Sequence, residues 1–290
     1  MNPRSFEYFA PPSLNEAIDI LDQHRDEAKI IAGGQSLMPL LKMRLASFQY
    51  LVDLRNVPDL SYINDDELEI GIGSMTTHRT IEFSPIVAAN CPVLAEAAGI
   101  IGDPLIRNRG TIGGSVCHAD PSADYPAVIL SLDGKLVVRG KDGKRTIESR
   151  DFFVDIFTTS LKTHEVLTEV RLPKLAADST AAYEKLTRRQ GDFALVGAAT
   201  FIRMRRQNCE EVRVALSGVA PTPVRAEAAE HMLKGKALTD TSILNASKHA
   251  AQGLRPPSNV HASREYRLAM VEVATRRALE RCKHNLRSRE

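Results

Sequence analysis

Apolar positions Leu14, Ala17, Ile18 and Leu21 recur at helical spacing, and Ser13 followed three residues later by Glu16 forms a capping box that opens that helix. A short run, Lys29-Ile30-Ile31-Ala32, then reads as a strand that delivers the chain into Gly33-Gly34. Ser36 is placed to start the next helix, and Pro39 is tolerated because it falls in that helix's first turn. Residues 50–54 and 68–72 read as further strands. Asp120-Pro121-Ser122-Ala123-Asp124 leads into an apolar helix through Val128, Ile129 and Leu132. Residues 135–139 and 144–147 flank Asp142-Gly143, a strong hairpin signal.

The pattern changes at residues 172–178, where a strand ends in Leu172-Pro173 and small and polar residues follow. Three strand-like runs come next, at 181–186, 193–204 and 212–219, and then helices. The last helix carries Leu268, Val271, Thr275, Leu279, Cys282 and Leu286 on one face, while Arg276, Arg277, Arg281, Lys283 and Arg287 read as a solvated opposite face. Strands followed by helices predict a separate α+β domain.

Composition narrows the function classes. The 290 residues leave room for two domains. A hydrophobic share of 43%, a charged share of 26% and a net charge of +2 describe an ordinary folded protein and give no electrostatic case for nucleic acid. No apolar stretch approaches the ~20 residues that span a bilayer, and no signal-peptide core follows Met1, so a cytoplasmic location is expected. Cys91, Cys117, Cys209 and Cys282 lack the paired spacing of zinc or iron–sulfur ligands; buried thiols and no metal are the expectation.

Candidate chemistry lies in two glycine stretches, Ala32-Gly33-Gly34-Gln35-Ser36 and Thr111-Ile112-Gly113-Gly114-Ser115. Adjacent glycines let a ligand approach the main chain, and consecutive amides can form a concave anion cradle to which Ser36 or Ser115 adds a hydroxyl. Either stretch alone is equally a tight turn. Two of one design predict a site that grips a diphosphate from two sides, as a dinucleotide cofactor requires.

The runs Ile31-Ala32-Gly33-Gly34-Gln35-Ser36-Leu37, Leu51-Val52-Asp53-Leu54-Arg55, Ile106 to Ser115 and Tyr183-Glu184-Lys185-Leu186 resemble the FAD-binding medium subunit of the bacterial molybdenum hydroxylases, the carbon monoxide dehydrogenase and xanthine dehydrogenase family. The resemblance runs from Phe6-Glu7-Tyr8 to the last helix with its motifs in order. It implies an α+β protein: a two-part FAD-binding domain of the vanillyl-alcohol-oxidase type over 1–176, divided near residue 57, and a smaller domain over 177–290 with a three-stranded antiparallel sheet and helices. It also implies roles. Residues Ala32, Gly33, Gly34, Gln35 and Ser36, with Thr111, Ile112, Gly113, Gly114 and Ser115, would clasp the FAD pyrophosphate. Lys29, Ile30 and Ile31 would pass the adenosine half. Ile101 would pack on the cofactor, Asp124 would accept a sugar or ribityl hydroxyl, and Leu167 and Lys185 would add flavin contacts. Phe193 would stack on the isoalloxazine where the carbon monoxide enzymes carry a tyrosine.

Each single contact has a plainer reading. Asp124 could cap its helix, Lys185 and Phe193 could be a surface charge and a core ring on strands, and Ile101 and Leu167 are ordinary core types. Arg107 and Arg109 could steer an anion or be solvated, and His78 has no evident partner. By resemblance the chain relays electrons: a large molybdopterin subunit oxidises substrate, a small subunit with two [2Fe-2S] clusters passes electrons on, and this FAD hands them to an external acceptor, in a dimer of heterotrimers. No catalytic acid, base or nucleophile is assigned. A stand-alone FAD-dependent dehydrogenase and a non-enzymatic nucleotide-binding protein are the alternatives.

Overall fold

The computed structural model describes residues 2–288. Its N-terminal lobe is a parallel sheet of three short strands, β1 (Glu7–Phe9), β2 (Ala28–Ile31) and β3 (Tyr50–Asp53), with β3 in the middle. Helix α1 (Leu14–His24) covers it, capped by the Ser13 hydroxyl, which accepts from the Glu16 amide. Ala17, Ile18 and Leu21 are the buried face, as their spacing predicts. The short helix α2 (Leu37–Lys42) follows β2; Ser36 occupies its N-cap position without making a capping bond.

The second lobe is a five-stranded antiparallel sheet with helices on one side. The chain enters through β4 (Ile63–Asp65) and β5 (Glu69–Gly73), then runs through six helices: α3 (His78–Glu82), α4 (Pro85–Asn90), α5 (Pro92–Gly99), α6 (Pro104–Arg107), α7 (Ile112–His118) and α8 (Asp124–Ser131). The hairpin β6 (Lys135–Gly140) and β7 (Gly143–Glu148) turns at Lys141-Asp142, one residue before the expected Asp142-Gly143, and Gly143, at φ +102°, opens β7 opposite Gly140. A single-turn helix α9 (Ser149–Phe152) and a small hairpin, β8 (Phe153–Asp155) and β9 (Thr158–Thr159), lead to β10 (Val166–Pro173), which closes the sheet in the order β4-β5-β10-β6-β7.

The C-terminal part is an antiparallel sheet of β11 (Ser179–Leu186), β12 (Val196–Arg205) and β13 (Asn208–Ser217), extended by a two-residue strand β14 (Val224–Arg225), so the expected three strands are joined by a fourth. Helices α10 (Glu227–Leu233), α11 (Asp240–His249) and α12 (Arg264–Arg287) cover one face of it. The other face rests on α8, every residue of which is buried. Helix α8 has no exposed side because it is walled by both halves: one apolar core holds Ile70, Ile72 and Val170 of the second lobe together with Tyr183, Phe201 and Ala215 of the C-terminal sheet.

Two local expectations change. The strand expected over 193–204 starts at Val196, because Ala194 and Leu195 bond outward to Ser122 and Leu186, and Phe193 therefore sits in a loop. The arginine-rich face of α12 is partly tied down. Arg281 donates to the Tyr183 carbonyl at 2.6 Å and to Glu96 at 2.5 Å, and Arg277 meets Glu184 at 3.3 Å. Ile72 is fully buried in the shared core, so Ile72→Ala is expected to cost about 2–5 kcal/mol, read as a lowered urea midpoint.

Candidate functional site

The first glycine stretch is a tight exit from β2. Gly34 has φ +74°, a conformation a side chain would strain. Gly33 is glycine for a different reason: a Cβ there would lie 2.1 Å from the Arg109 carbonyl oxygen and 2.7 Å from the Gly110 Cα. That close approach docks the first stretch directly onto the segment that leads into the second. Gln35 folds back through its Nε2 to the Gly33 carbonyl at 3.2 Å. Among the described residues, the amides of Gly33, Gly34, Gln35 and Ser36 donate to no protein acceptor. Four successive free N–H groups on a bent backbone form an anion cradle.

The second stretch is built differently. Residues 112–118 are the helix α7, so Gly113, Gly114 and Ser115 are helical and do not form a loop. The Thr111 hydroxyl caps it by accepting from the Gly114 amide at 3.1 Å. Three more amides of the stretch are also engaged: Ile112 donates to Thr76 O at 3.0 Å, Gly113 to Ser74 O at 2.8 Å and Ser115 to Thr111 O at 3.0 Å. The expected second row of free amides is therefore absent. Its glycines serve packing, since a Cβ on Gly113 would stand 2.6 Å from Ser74. The Ile112 side chain is fully buried. What this stretch offers a ligand is the Ser115 hydroxyl and a close surface at Gly114, where a Cβ would meet Ala32 at 3.5 Å. The two stretches do face each other, but only the first supplies an open cradle.

Lys29 is exposed, with Nζ 5.8 Å from the Phe48 ring centre, and Ile30 and Ile31 pack inward. Farther along, three segments meet around Asp124. Its Oδ1 accepts from the Tyr183 hydroxyl at 2.7 Å and its Oδ2 from Lys185 Nζ at 3.0 Å. Lys185 Nζ also donates to the Ile100 carbonyl at 3.3 Å, next to half-buried Ile101. Both side chains of the Asp124–Lys185 pair are 5% exposed, so the surface-charge reading of Lys185 fails. Asp124 caps nothing: it is the first residue of α8, after Ala123. Burial pushes the Asp124 carboxyl up, opposed by the Lys185 ammonium and the Tyr183 hydroxyl. Each carboxylate oxygen keeps a lone pair for one more donor.

The loop carrying Phe193 is pinned on both sides of this cluster. Gly191 packs on the Gly102 carbonyl, and the Ala194 amide donates to Ser122 O at 3.2 Å. Phe193 between them is 56% exposed, so it is no core ring. Leu167 lies apart from these groups. Its side chain is buried in the core, and only main chain at the ladder irregularity after it could face a ligand.

Three supports escaped the sequence. Buried His78 starts α3, places Nδ1 3.1 Å from the Tyr125 hydroxyl, and has its ring where a Gly110 side chain would go, which keeps Gly110-Thr111 in place. Arg107 is neither solvated nor free: it pairs with Glu82 at 2.9 Å and donates to the carbonyls of Ile101 and Gly102. The Tyr183–Asp124 bond joins residues 59 apart, and no local pattern encodes such a contact.

The model of the FAD binding domain in molybdopterin dehydrogenase matches residues 4–175, and that of the CO dehydrogenase flavoprotein C-terminal domain matches 181–282. The chain is 39% identical to the carbon monoxide dehydrogenase medium chain of Hydrogenophaga pseudoflava, over 96% of this chain and 97% of that one. It is 38% identical to the 6-hydroxypseudooxynicotine dehydrogenase complex subunit alpha of Paenarthrobacter nicotinovorans, over 99% and 97%. The solved structure of carbon monoxide dehydrogenase from Hydrogenophaga pseudoflava superposes with a TM-score of 0.95 at 40% identity, covering 98% of this chain and 99% of that one.

Burial and the nearby Arg107 charge lower the His78 imidazole to about 4, so it is neutral in the folded protein. The unfolded chain takes up that proton near pH 6.5, so stability is full above this pH and falls as pH drops toward 4, by about 3 kcal/mol in all. Urea midpoints measured from pH 7 to pH 4 are expected to show this slope, and His78→Gln is expected to flatten it.

Proposed function

The chain belongs to the family of FAD-binding subunits of the molybdopterin dehydrogenases, and on that premise we propose that it is the electron-relaying subunit of a multi-subunit molybdenum hydroxylase. In this reading FAD takes electrons from iron–sulfur clusters of a partner subunit and passes them to an external acceptor. The partners are a large molybdopterin subunit and a small iron–sulfur subunit, arranged as a dimer of heterotrimers in the cytoplasm. The chain divides as 1–176 and 177–290, between the two matched segments. Relatives of near-equal similarity are named for carbon monoxide and for 6-hydroxypseudooxynicotine, which supports a reading in which substrate choice lies outside this subunit.

The observation that carries the reading is the row of unengaged amides from Gly33 to Ser36. A cradle of that kind fits a pyrophosphate, and the two docked segments also carry the hydroxyls of Ser36 and Ser115. Bound FAD supplies the redox chemistry, accepting and releasing electrons one or two at a time. The chain's own residues bind and orient. Asp124, held by Lys185 and Tyr183, presents fixed acceptor oxygens for a hydroxyl. Lys185 places positive charge beside Ile100-Ile101, and Phe193, two residues from the Gly191–Gly102 contact, offers an exposed flat face. Ile101 and the main chain near Leu167 line the remaining wall.

Binding is expected to be non-covalent, so acid precipitation should release all the flavin into the supernatant. Gly34→Val strains the cradle at φ +74° and should abolish most flavin retention; full occupancy in the folded variant would refute the pyrophosphate assignment. Phe193→Ala should weaken FAD binding several-fold, matching about 0.5–1.5 kcal/mol for an aromatic contact, and shift the flavin absorption band, whereas Phe193→Tyr should behave as the parent.

The relay itself is tested anaerobically. Substrates of molybdenum hydroxylases should leave the flavin of the isolated holo-subunit oxidised until the large and small subunits are added. Chemically reduced holo-subunit should still pass electrons to an artificial acceptor. Bleaching by substrate without partners would instead establish a stand-alone dehydrogenase.

A further inference from the structure

Arg267 is a buried cation with no buried anion. It lies on the first turns of α12, is 3% exposed, and among the described residues forms no ion pair with a carboxylate. Burial lowers its guanidinium from the ordinary arginine value. Its Nη1 donates to two main-chain carbonyls at once, Leu195 O at 2.5 Å and Gly218 O at 3.0 Å, and its Nη2 to Asn259 Oδ1 at 3.2 Å. Asn259 Oδ1 in turn accepts the amides of His261 and Ala262. Placing a cation out of water is costly, and an apolar side chain would fill the space more cheaply. A residue of this kind is explained by what it holds.

The two gripped carbonyls belong to the chain segments that reach across to the FAD-binding half. Gly218 N donates to Pro121 O at 2.7 Å, and Ala194 N, one residue before Leu195, donates to Ser122 O at 3.2 Å. Gly218 makes the convergence possible. It has φ +77°, and a Cβ on it would lie 2.5 Å from the Leu195 carbonyl oxygen. One guanidinium group thus fastens together two strand ends that both bond to Pro121-Ser122, two to three residues before Asp124. Phe193 is the first residue of the same segment that points free.

We propose that Arg267 is a positioning residue for the flavin site, setting the Phe193 loop against the Pro121-Ser122 segment through the carbonyls of Leu195 and Gly218. The proposal rests on the reading above that Phe193 faces the flavin. Geometry requires arginine: a planar fork reaches three acceptors in fixed directions, and an ammonium cannot. A merely structural fastener of α12 to its sheet would change stability and leave the flavin's surroundings as they are.

The test uses the full chain with FAD bound, in five variants: Arg267→Met, Arg267→Lys, Asn259→Ala, Phe193→Ala and the double variant Arg267→Met/Phe193→Ala. Arg267→Met is expected to keep the far-ultraviolet dichroism of the parent, to shift the flavin band as Phe193→Ala does, and to lose FAD about fivefold faster, the scale of a lost aromatic contact. Arg267→Lys should recover only part of this. Adding Arg267→Met to Phe193→Ala should leave the flavin band where Phe193→Ala alone puts it, because residues acting as one unit are not additive. A lowered melting temperature with the parent's flavin band and FAD loss would overturn the proposal, as would strictly additive shifts. If Arg267→Met fails to fold, Asn259→Ala, at an exposed position, decides: a shifted band supports the role and an unchanged band overturns it. A parent-like band in Phe193→Ala alone would refute the Phe193 assignment instead, and FAD loss in the Arg267 variants would then judge Arg267 through the Pro121-Ser122 segment.

Discussion

Asp124 and Lys185 meet at 3.0 Å with almost no contact with water, and the rest of the site is arranged around that pair. Removing either partner leaves an uncompensated buried charge, which costs about 3–5 kcal/mol. The pair therefore holds only if α8, β11 and the Ile100 carbonyl arrive together, and Tyr183 completes the set by donating to the other carboxylate oxygen. Because α8 closes the helical layer of one half and β11 starts the sheet of the other, this contact ties the halves together beside the apolar core they share. The Arg281 bonds to Glu96 and to the Tyr183 carbonyl reinforce the same junction from outside.

Much of the architecture was legible along the chain. The Ser13 cap and the period of Ala17, Ile18 and Leu21 are local signals whose helix forms where they stand, and the hairpin signalled by Asp142-Gly143 forms with its turn one residue earlier, at Lys141-Asp142. The resemblance of four short motifs led to the family that the full-length comparisons show. The site was less legible, because its groups act at long range. A glycine pair looks the same in sequence whether it bends a loop, as at Gly34, or lets two backbones touch, as at Gly33 and Gly113. The strand expected through Phe193 failed for the same reason: bonds to Ser122 and Leu186 override the apolar run.

The two glycine stretches also show that similar sequences carry different work. In the first, nothing among the described residues satisfies four amides, so the segment is open to an anion. In the second, a threonine cap and the carbonyls of Ser74 and Thr76 use the amides up, so that segment serves as a firm wall. A firm wall opposite an open cradle orients a ligand better than two open cradles, since only one side needs to adapt.

The core around α8 has one more consequence, for any attempt to take the chain apart. Although the family models meet at about residue 180, the side chains do not respect that joint: Tyr183, Phe201 and Ala215 are packed in the same cluster as Ile72 and Leu136. Severing the chain there would strip the inner face of one sheet and one wall of a wholly buried helix, leaving each fragment with a raw sticky surface. The two halves are thus modules by ancestry and a single body by packing, able to be exchanged between relatives only when both sides of α8 travel together.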